Sequence, residues 1–234
     1  MLKNFFFLFL FIFSANVFAK EVKVGLFGFI PYAYEENGKI TGILYDFLND
    51  IDKEIRPLKF TYRIYPYNRL LEELKSGNVD LALFYSNEKA GTTKYQYHES
   101  LGNINYVVGI NSFDPKNENF KIGVIGAASY GDEIDHLDEK KKIFLKDYAQ
   151  GIRMLEYLRL THLVMPSTGK NHYCQNDKIR CPDKFFRNST KINEKNNWLH
   201  LGDNLTPKEK QLIKKAHDQV IKKKNLKYLH DLLK

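Results

Sequence analysis

The stretch YNRLLEELKSGNVDLALF (67–84) decides the architecture. Leu70, Leu71 and Leu74 recur at the spacing that collects side chains on one helical face. Gly77 follows, where a left-handed residue commonly ends a helix. Residues 79–84 (VDLALF) are then almost continuously apolar, the pattern of a strand covered on both faces. Such strands sit in parallel sheets and are reached through helical crossovers, so the stretch predicts an α/β chain.

Upstream, Leu58, Phe60, Tyr62 and Ile64 alternate with polar partners, as a strand does. Pro57 stops a preceding helix that opens after Gly42 and carries Leu44, Phe47, Leu48, Ile51 and Ile55. ENGK (36–39) is a hairpin-like turn, GFIPYAY (28–34) an aromatic loop and EVKVGLF (21–27) a further strand. Downstream, NINYVVGIN (103–111) predicts a strand crossing toward a second unit that begins near Phe113. There the pattern restarts. Strands are expected at 120–125, 142–146 and 161–165, and residues 126–131 lead into a helix. Another helix is expected over 151–159, and residues 184–189 are read as crossing back. Thr206 and Pro207 supply an N-cap and a first helical residue before the stripe Leu212, Ala216, Val220, and a last short helix carries Leu229, Leu232 and Leu233. The expectation is two lobes, each a mixed sheet with flanking helices, joined by a hinge of two crossings. Residues 20–112 with 188–234 form one lobe and 113–187 the other. Ligands of open α/β sheets lie beyond the carboxyl ends of the strands, and two such ends facing each other make a cleft that closes by hinge motion.

The N-terminus reads as an export signal. Lys3 precedes an unbroken apolar run over 5–13, and Val17 and Ala19 occupy the −3 and −1 positions of a cleavage site before Lys20. A membrane anchor is the alternative, although the run falls short of the roughly 20 apolar residues a spanning helix needs. The expected location is therefore the periplasm, with residues 1–19 removed. The net charge of +8 comes largely from lysines at 140–142 and 208–234, on solvated helical faces. No aromatic–basic reading motif accompanies them, so a nucleic-acid partner is not expected. In an oxidising compartment Cys174 and Cys181 predict a disulfide, worth about 2–3 kcal/mol for so short a loop. The alternative is a metal site of His172, Cys174 and Cys181, which lacks a fourth ligand at zinc-finger spacing.

Four stretches together resemble the type 2 periplasmic binding proteins, specifically the family 3 solute-binding proteins that include amino-acid binders. They are VKVGLFGFIPYAY (22–34), GKITGILYDFLNDI (38–51), the opening stretch 67–84, and FKIGVIGAASY (120–130). The resemblance implies a soluble, monomeric mature chain that closes on a small ligand for ABC-type uptake or for sensing, with an ABC permease or a membrane sensor as partner and no cofactor. A dehydratase-like periplasmic enzyme and an accessory ligand sensor are the alternatives. In this fold the aromatic loops rim the cleft, which places Tyr32, Tyr67 and Tyr85 at the ligand, together with Phe29, Tyr34 and Tyr65. Amino-acid binders carry a Thr/Ser-Pro-Glu-Arg turn whose Arg grips the ligand carboxylate. Here Ser86-Asn87-Glu88-Lys89 stands there, and Lys89 is open to two readings, an anion partner or a solvated side chain. Those binders also place an Asp after the strand matching 161–165 to take the ligand ammonium. Here Pro166-Ser167-Thr168-Gly169 follows. Ser129 suits the family's ligand-binding Thr/Ser at a helix N-terminus, or is simply an N-cap. Glu35, Glu88, His98 and His162 are the candidate acids and bases, but no nucleophile elbow, HExxH or paired-carboxylate motif joins them, so the chain is not expected to be an enzyme.

Intact-mass measurement of periplasmic material is expected to find a chain beginning at Lys20. A mass that includes residues 1–19 would contradict the cleavage.

Overall fold

β1 (Lys20–Phe27) lies between two parallel neighbours, β4 (Leu58–Tyr65) and β5 (Leu81–Tyr85), and its inner residues Val22, Val24 and Leu26 are almost fully buried. In the computed structural model of the chain, residues 19–85, 96–126, 128–175 and 188–233 are described, without the side chains of Tyr85, Cys174 and Gln175. The export signal over 1–18, Ser86, Glu88, Lys89 and Cys181 lie outside the described residues, as do the side chains of Tyr85 and Cys174. The Tyr85 ligand contact and the disulfide therefore stand as expectations.

The parallel pairings need crossovers, and the sequence supplies them. A short hairpin of β2 (Tyr34–Glu36) and β3 (Lys39–Thr41) turns through Asn37 and Gly38, both at positive φ (53° and 72°), as a two-residue hairpin turn requires. α1 (Ile43–Lys53) buries Ile43, Leu44, Phe47, Leu48 and Ile51, each worth about 1.5–3 kcal/mol when fully covered. α2 (Tyr67–Lys75) ends before Gly77 at φ 74°, and the helix–Gly–x–x–Asp–strand motif has a structural task here. The buried Asp80 carboxylate accepts the Lys23 N–H at 2.9 Å and the Asn204 amide at 2.9 Å. It thereby ties β1 and the turn before the long C-terminal helix to the start of β5.

The second half repeats the scheme. β7 (Ile122–Ile125) pairs in parallel with β8 (Lys142–Leu145) and β9 (His162–Pro166). α3 (Asp132–Asp135) is a single turn. α4 (Tyr148–Glu156) starts three residues earlier than the apolar stripe suggests, because Asp147 caps it, accepting the Gln150 N–H at 2.7 Å. Pro166 ends β9, and Ser167, Thr168 and Gly169, where amino-acid binders carry an acid, open α5 (Ser167–Gln175).

Two long strands belong to both halves. β6 (Gln96–Gly109) pairs antiparallel with β10 (Thr190–Leu201), β10 pairs antiparallel with β5, and β6 with β9. The expected pair of separate sheets is thus one eight-stranded sheet, β4-β1-β5-β10-β6-β9-β7-β8, among the described residues. The return crossing expected at 184–189 is the strand that starts at Thr190. Its first half, TKINEK, is too polar to announce a strand by alternation, and pairing with β6 supplies what propensity does not.

α6 (Pro207–Lys224) closes over the first half. Thr206 and Glu209 form a reciprocal capping box, and Lys20 Nζ reaches Glu209 at 2.8 Å. Among the described residues no helix is long and apolar enough to cross a membrane.

His200 on β10 is buried, stacked 4.0 Å from the Phe84 ring and edge-on to Tyr97. Neither ring nitrogen finds a partner in hydrogen-bonding geometry, although the Phe84 backbone lies near enough to favour the charged ring slightly. Burial pushes the imidazole down to about 3. It also lowers His162 and His217. An unfolded imidazole takes up a proton near pH 6.5, which the folded one refuses, so the stability is complete above that value and drains away as the pH falls toward 3. His200 should therefore lower the unfolding free energy by about 1.4 kcal/mol per pH unit between pH 6.5 and 4.5, before the carboxylates titrate, with His162 and His217 adding in the same direction. Urea melts of the chain and of H200F across this window are expected to show a shallower slope for the variant. Parallel slopes would contradict the assignment.

Candidate functional site

The strand ends of both halves converge on one cavity. Phe27 ends β1 and Phe84 stands near the end of β5, while Tyr67 opens α2 after β4. From the other half come Ile125 at the end of β7, Pro166 at the end of β9, and Tyr148 at the start of α4. Phe29 and Tyr32 enter from the loop after β1, Ser129 and Tyr130 from the loop after β7. The crossing strands contribute Asn103, Asn105 and Asn197. About 50 Å³ is open to the centre of a water molecule, space for a few waters or a small solute.

The walls are aromatic. Phe27 packs on Phe29 (centroids 5.0 Å apart), Tyr32 (4.9 Å) and Tyr67 (5.7 Å). Phe29 meets Tyr148 edge-to-face at 5.4 Å and so joins the two halves. Such pairs add about 0.5–1.5 kcal/mol beyond their buried area. Burial holds the Tyr148 hydroxyl well above the ordinary phenol range, so it stays protonated. None of the described residues lining the cavity carries a charge.

The loop after β7 is fastened from behind. Ser129 was expected to open a helix with free N–H groups, but α3 starts only at Asp132, after Gly131. The Asp135 carboxylate takes the Ser129 hydroxyl, the Tyr130 N–H at 3.0 Å and the Gly131 N–H at 3.3 Å. An internal carboxylate thus holds the groups an incoming anion would use. Ser129 still lines the cavity, but its proton is committed.

The amides on the crossing strands form a relay. Asn103 Nδ2 donates to Asn105 Oδ1 at 3.2 Å, Asn105 Nδ2 to Asn193 Oδ1 at 2.9 Å, and Asn193 Nδ2 to the Tyr130 carbonyl. Asn197 donates separately to the Leu101 carbonyl at 2.9 Å. Asn103 is buried, and its Oδ1 has no hydrogen-bond partner among the described residues.

Tyr32, Tyr67, Ser129 and Phe29 line this one cavity. Tyr34 and Tyr65 do not. They line more open grooves between the first loop and the second half, beside Asp147. Phe27, Phe84, Tyr130, Tyr148 and the three asparagines were not anticipated, yet Asn103 and Asn105 stand two apart beside the apolar run Tyr106–Val108, a legible sign of polar groups on one face. His162 is a buried histidine against Phe120 and Phe113, away from the cavity. His98, His217 and Asp218 form the one described cluster whose geometry could hold a metal, with ligand atoms within 4.8 Å. Both imidazoles already bond Asp218 Oδ1, at 2.7 and 2.9 Å, and Lys214, Lys215 and Lys222 line the adjoining groove, which disfavours a cation.

The sequence pattern of the bacterial extracellular solute-binding proteins, family 3, matches residues 22–228. No curated protein matches the chain. Among solved structures it is similar to an ABC uptake transporter substrate-binding protein from Streptococcus pneumoniae with bound histidine. That match has TM-score 0.68 and 13% identity, covering 87% of this chain and 87% of that one. It is similar also to the arginine-, lysine-, histidine-binding protein ArtJ of Geobacillus stearothermophilus (TM-score 0.66, 19% identity, 88% and 91% covered). A third is an ancestral amino-acid-binding protein described as a precursor of cyclohexadienyl dehydratase (TM-score 0.68, 14% identity, 91% and 92% covered). At these identities the likeness concerns the fold.

Asp135→Ala should release the loop that carries Ser129 and Tyr130. Hydrogen bonds to a charged group are worth about 1.5–3 kcal/mol, so a loss of that order is expected in urea unfolding. Unchanged stability would show that the carboxylate does not hold the loop.

Proposed function

The chain belongs to the bacterial extracellular solute-binding proteins of family 3, and on that premise we propose that it captures a small solute in the aromatic cavity between the two halves of its sheet. The observation that carries this reading is the convergence of strand carboxyl ends from both halves on one space. Residues 20–112 with 188–234 act as one lobe and 113–187 as the other. β6 and β10 are the two crossings about which the lobes close. The captured solute is then handed to an ABC permease or reported to a membrane sensor, after export of the chain to the periplasm.

Binding fits this site better than chemistry. General acid–base catalysis needs two titratable groups converging on the bound molecule. The described lining offers amides, hydroxyls and rings instead. The neighbours in fold described above are an arginine-, lysine-, histidine-binding protein, a substrate-binding protein with bound histidine and an ancestral amino-acid-binding protein, but on the family resemblance this chain departs from amino-acid binders at both charged contacts: Lys89 stands where their Arg does, and no acid follows Met165. Losing one partner of a buried charged pair typically costs about 3–5 kcal/mol, so free α-amino acids are poor ligands.

The test is a thermal-shift screen of the mature protein against amino acids, organic acids and small cations, followed by calorimetry. A true ligand at a hundredfold excess over its Kd stabilises by about 2.7 kcal/mol. A non-amino-acid solute is expected to raise the melting temperature, and Phe29→Ala and Tyr67→Ala to cancel the shift. Submicromolar binding of any standard amino acid, or a shift that survives both variants, would overturn the reading.

A further inference from the structure

The asparagine relay has only one possible direction. The Tyr130 carbonyl can only accept, so Asn193 must present Nδ2 to it and Oδ1 to its neighbour. Asn105, directly opposite Asn193 in the β6–β10 register, must then donate Nδ2 and turn Oδ1 back along β6. Asn103 must fill that acceptor with its own Nδ2, which leaves Asn103 Oδ1 as the open end. Flipping any one amide places two oxygens or two NH2 groups face to face. The open end is an acceptor at the cavity, 4% exposed as a residue and without a partner among the described residues. A buried acceptor left unpaired is costly, and unlike the unpaired His200 and His162 nitrogens this one belongs to a residue that lines the cavity, where a bound solute can meet it.

The surroundings select the charge of what meets it. The negative faces of aromatic rings attract a cation, and Phe27, Phe29, Tyr32, Tyr67, Phe84 and Tyr148 ring the space. Behind the Ser129 loop stand the Asp135 carboxylate and, beside Gly131, Glu133 Oε2 and Lys195 Nζ, so the selection falls to the rings and the amide oxygen. No cationic side chain is among the described lining residues. An anion would meet ring faces and an amide oxygen, and the N–H groups of the Ser129 loop are already held by Asp135.

We propose that the solute is a small organic amine, bound as its ammonium ion with an N–H donated to Asn103 Oδ1 and its carbon body against the aromatic walls. The inference rests on the cavity being the ligand site. Recognition is directional: the ion needs an N–H, so a quaternary ammonium of similar size is a weaker partner.

NMR titration of the mature protein with n-propylammonium, tetramethylammonium, n-propanol and propionate separates these terms. n-Propylammonium is expected to bind at least tenfold more tightly than each of the other three. Asn103→Leu is expected to weaken n-propylammonium at least tenfold, and Tyr67→Ala to weaken it as well. Should Asn103→Leu fail to fold, the ranking of the four probes on the unaltered protein decides alone. Propionate or tetramethylammonium binding as tightly as n-propylammonium overturns the proposal, as does failure of n-propylammonium to bind. Amine binding lost in Tyr67→Ala but untouched in Asn103→Leu leaves the cavity as the site and refutes the relay. Amine binding indifferent to both refutes the cavity itself.

Discussion

The antiparallel ladder between β6 and β10 is the interaction on which the rest of the structure depends. It is the only pairing in the described sheet that belongs to both parallel halves, for β10 also pairs with β5 and β6 with β9. Each crossing strand begins beside one half and ends beside the other. The register of β10 on β6 shifts between Lys191 and Asn193 and again between Asn196 and Trp198. Such irregularities bend strands and re-aim side chains, and here they bracket the segment that passes between the halves. The same ladder lays Asn103 and Asn105 beside Asn193, so the pairing that unites the fold also builds the polar floor of its cavity.

A consequence is a site whose polarity is borne by amides rather than charges. Amide hydrogen bonds fix direction without the desolvation that buried ions demand. The Asp135 carboxylate is spent on the loop it holds, through the Ser129 hydroxyl and the Tyr130 and Gly131 N–H groups. Aromatic packing across the gap, through Phe29 and Tyr148, then lets the two walls meet without an ion pair between them.

Much of this was legible in the residues. The helix–Gly–x–x–Asp–strand stretch announced a parallel α/β unit, and Asp80 gives the pattern its task, a buried carboxylate that holds the Lys23 N–H and the Asn204 amide. The family resemblance put Tyr32 and Tyr67 on loops that rim a cleft, and both line the cavity. What escaped was non-local. The sequence places a crossing at 184–189 and assigns nothing to 190–201 or to α5, because β10 is polar in its first half until β6 and β5 are set on either side of it. Ser129 suggested an open helix N-terminus because nothing nearby in sequence shows that Asp135 folds back onto it. The relay spans 88 residues between Asn105 and Asn193, a distance no local pattern reveals.

The central claim is that a solute sits between the two halves with a donor on Asn103. A crystal structure of the mature protein soaked with n-propylammonium tests it most directly. The account predicts density between Phe29, Tyr67 and Tyr148, with the nitrogen at hydrogen-bonding distance from Asn103 Oδ1, about 2.8–3.0 Å. Density in the lysine-lined groove beside His98, or an amine in the cavity with its nitrogen turned away from Asn103, would contradict it.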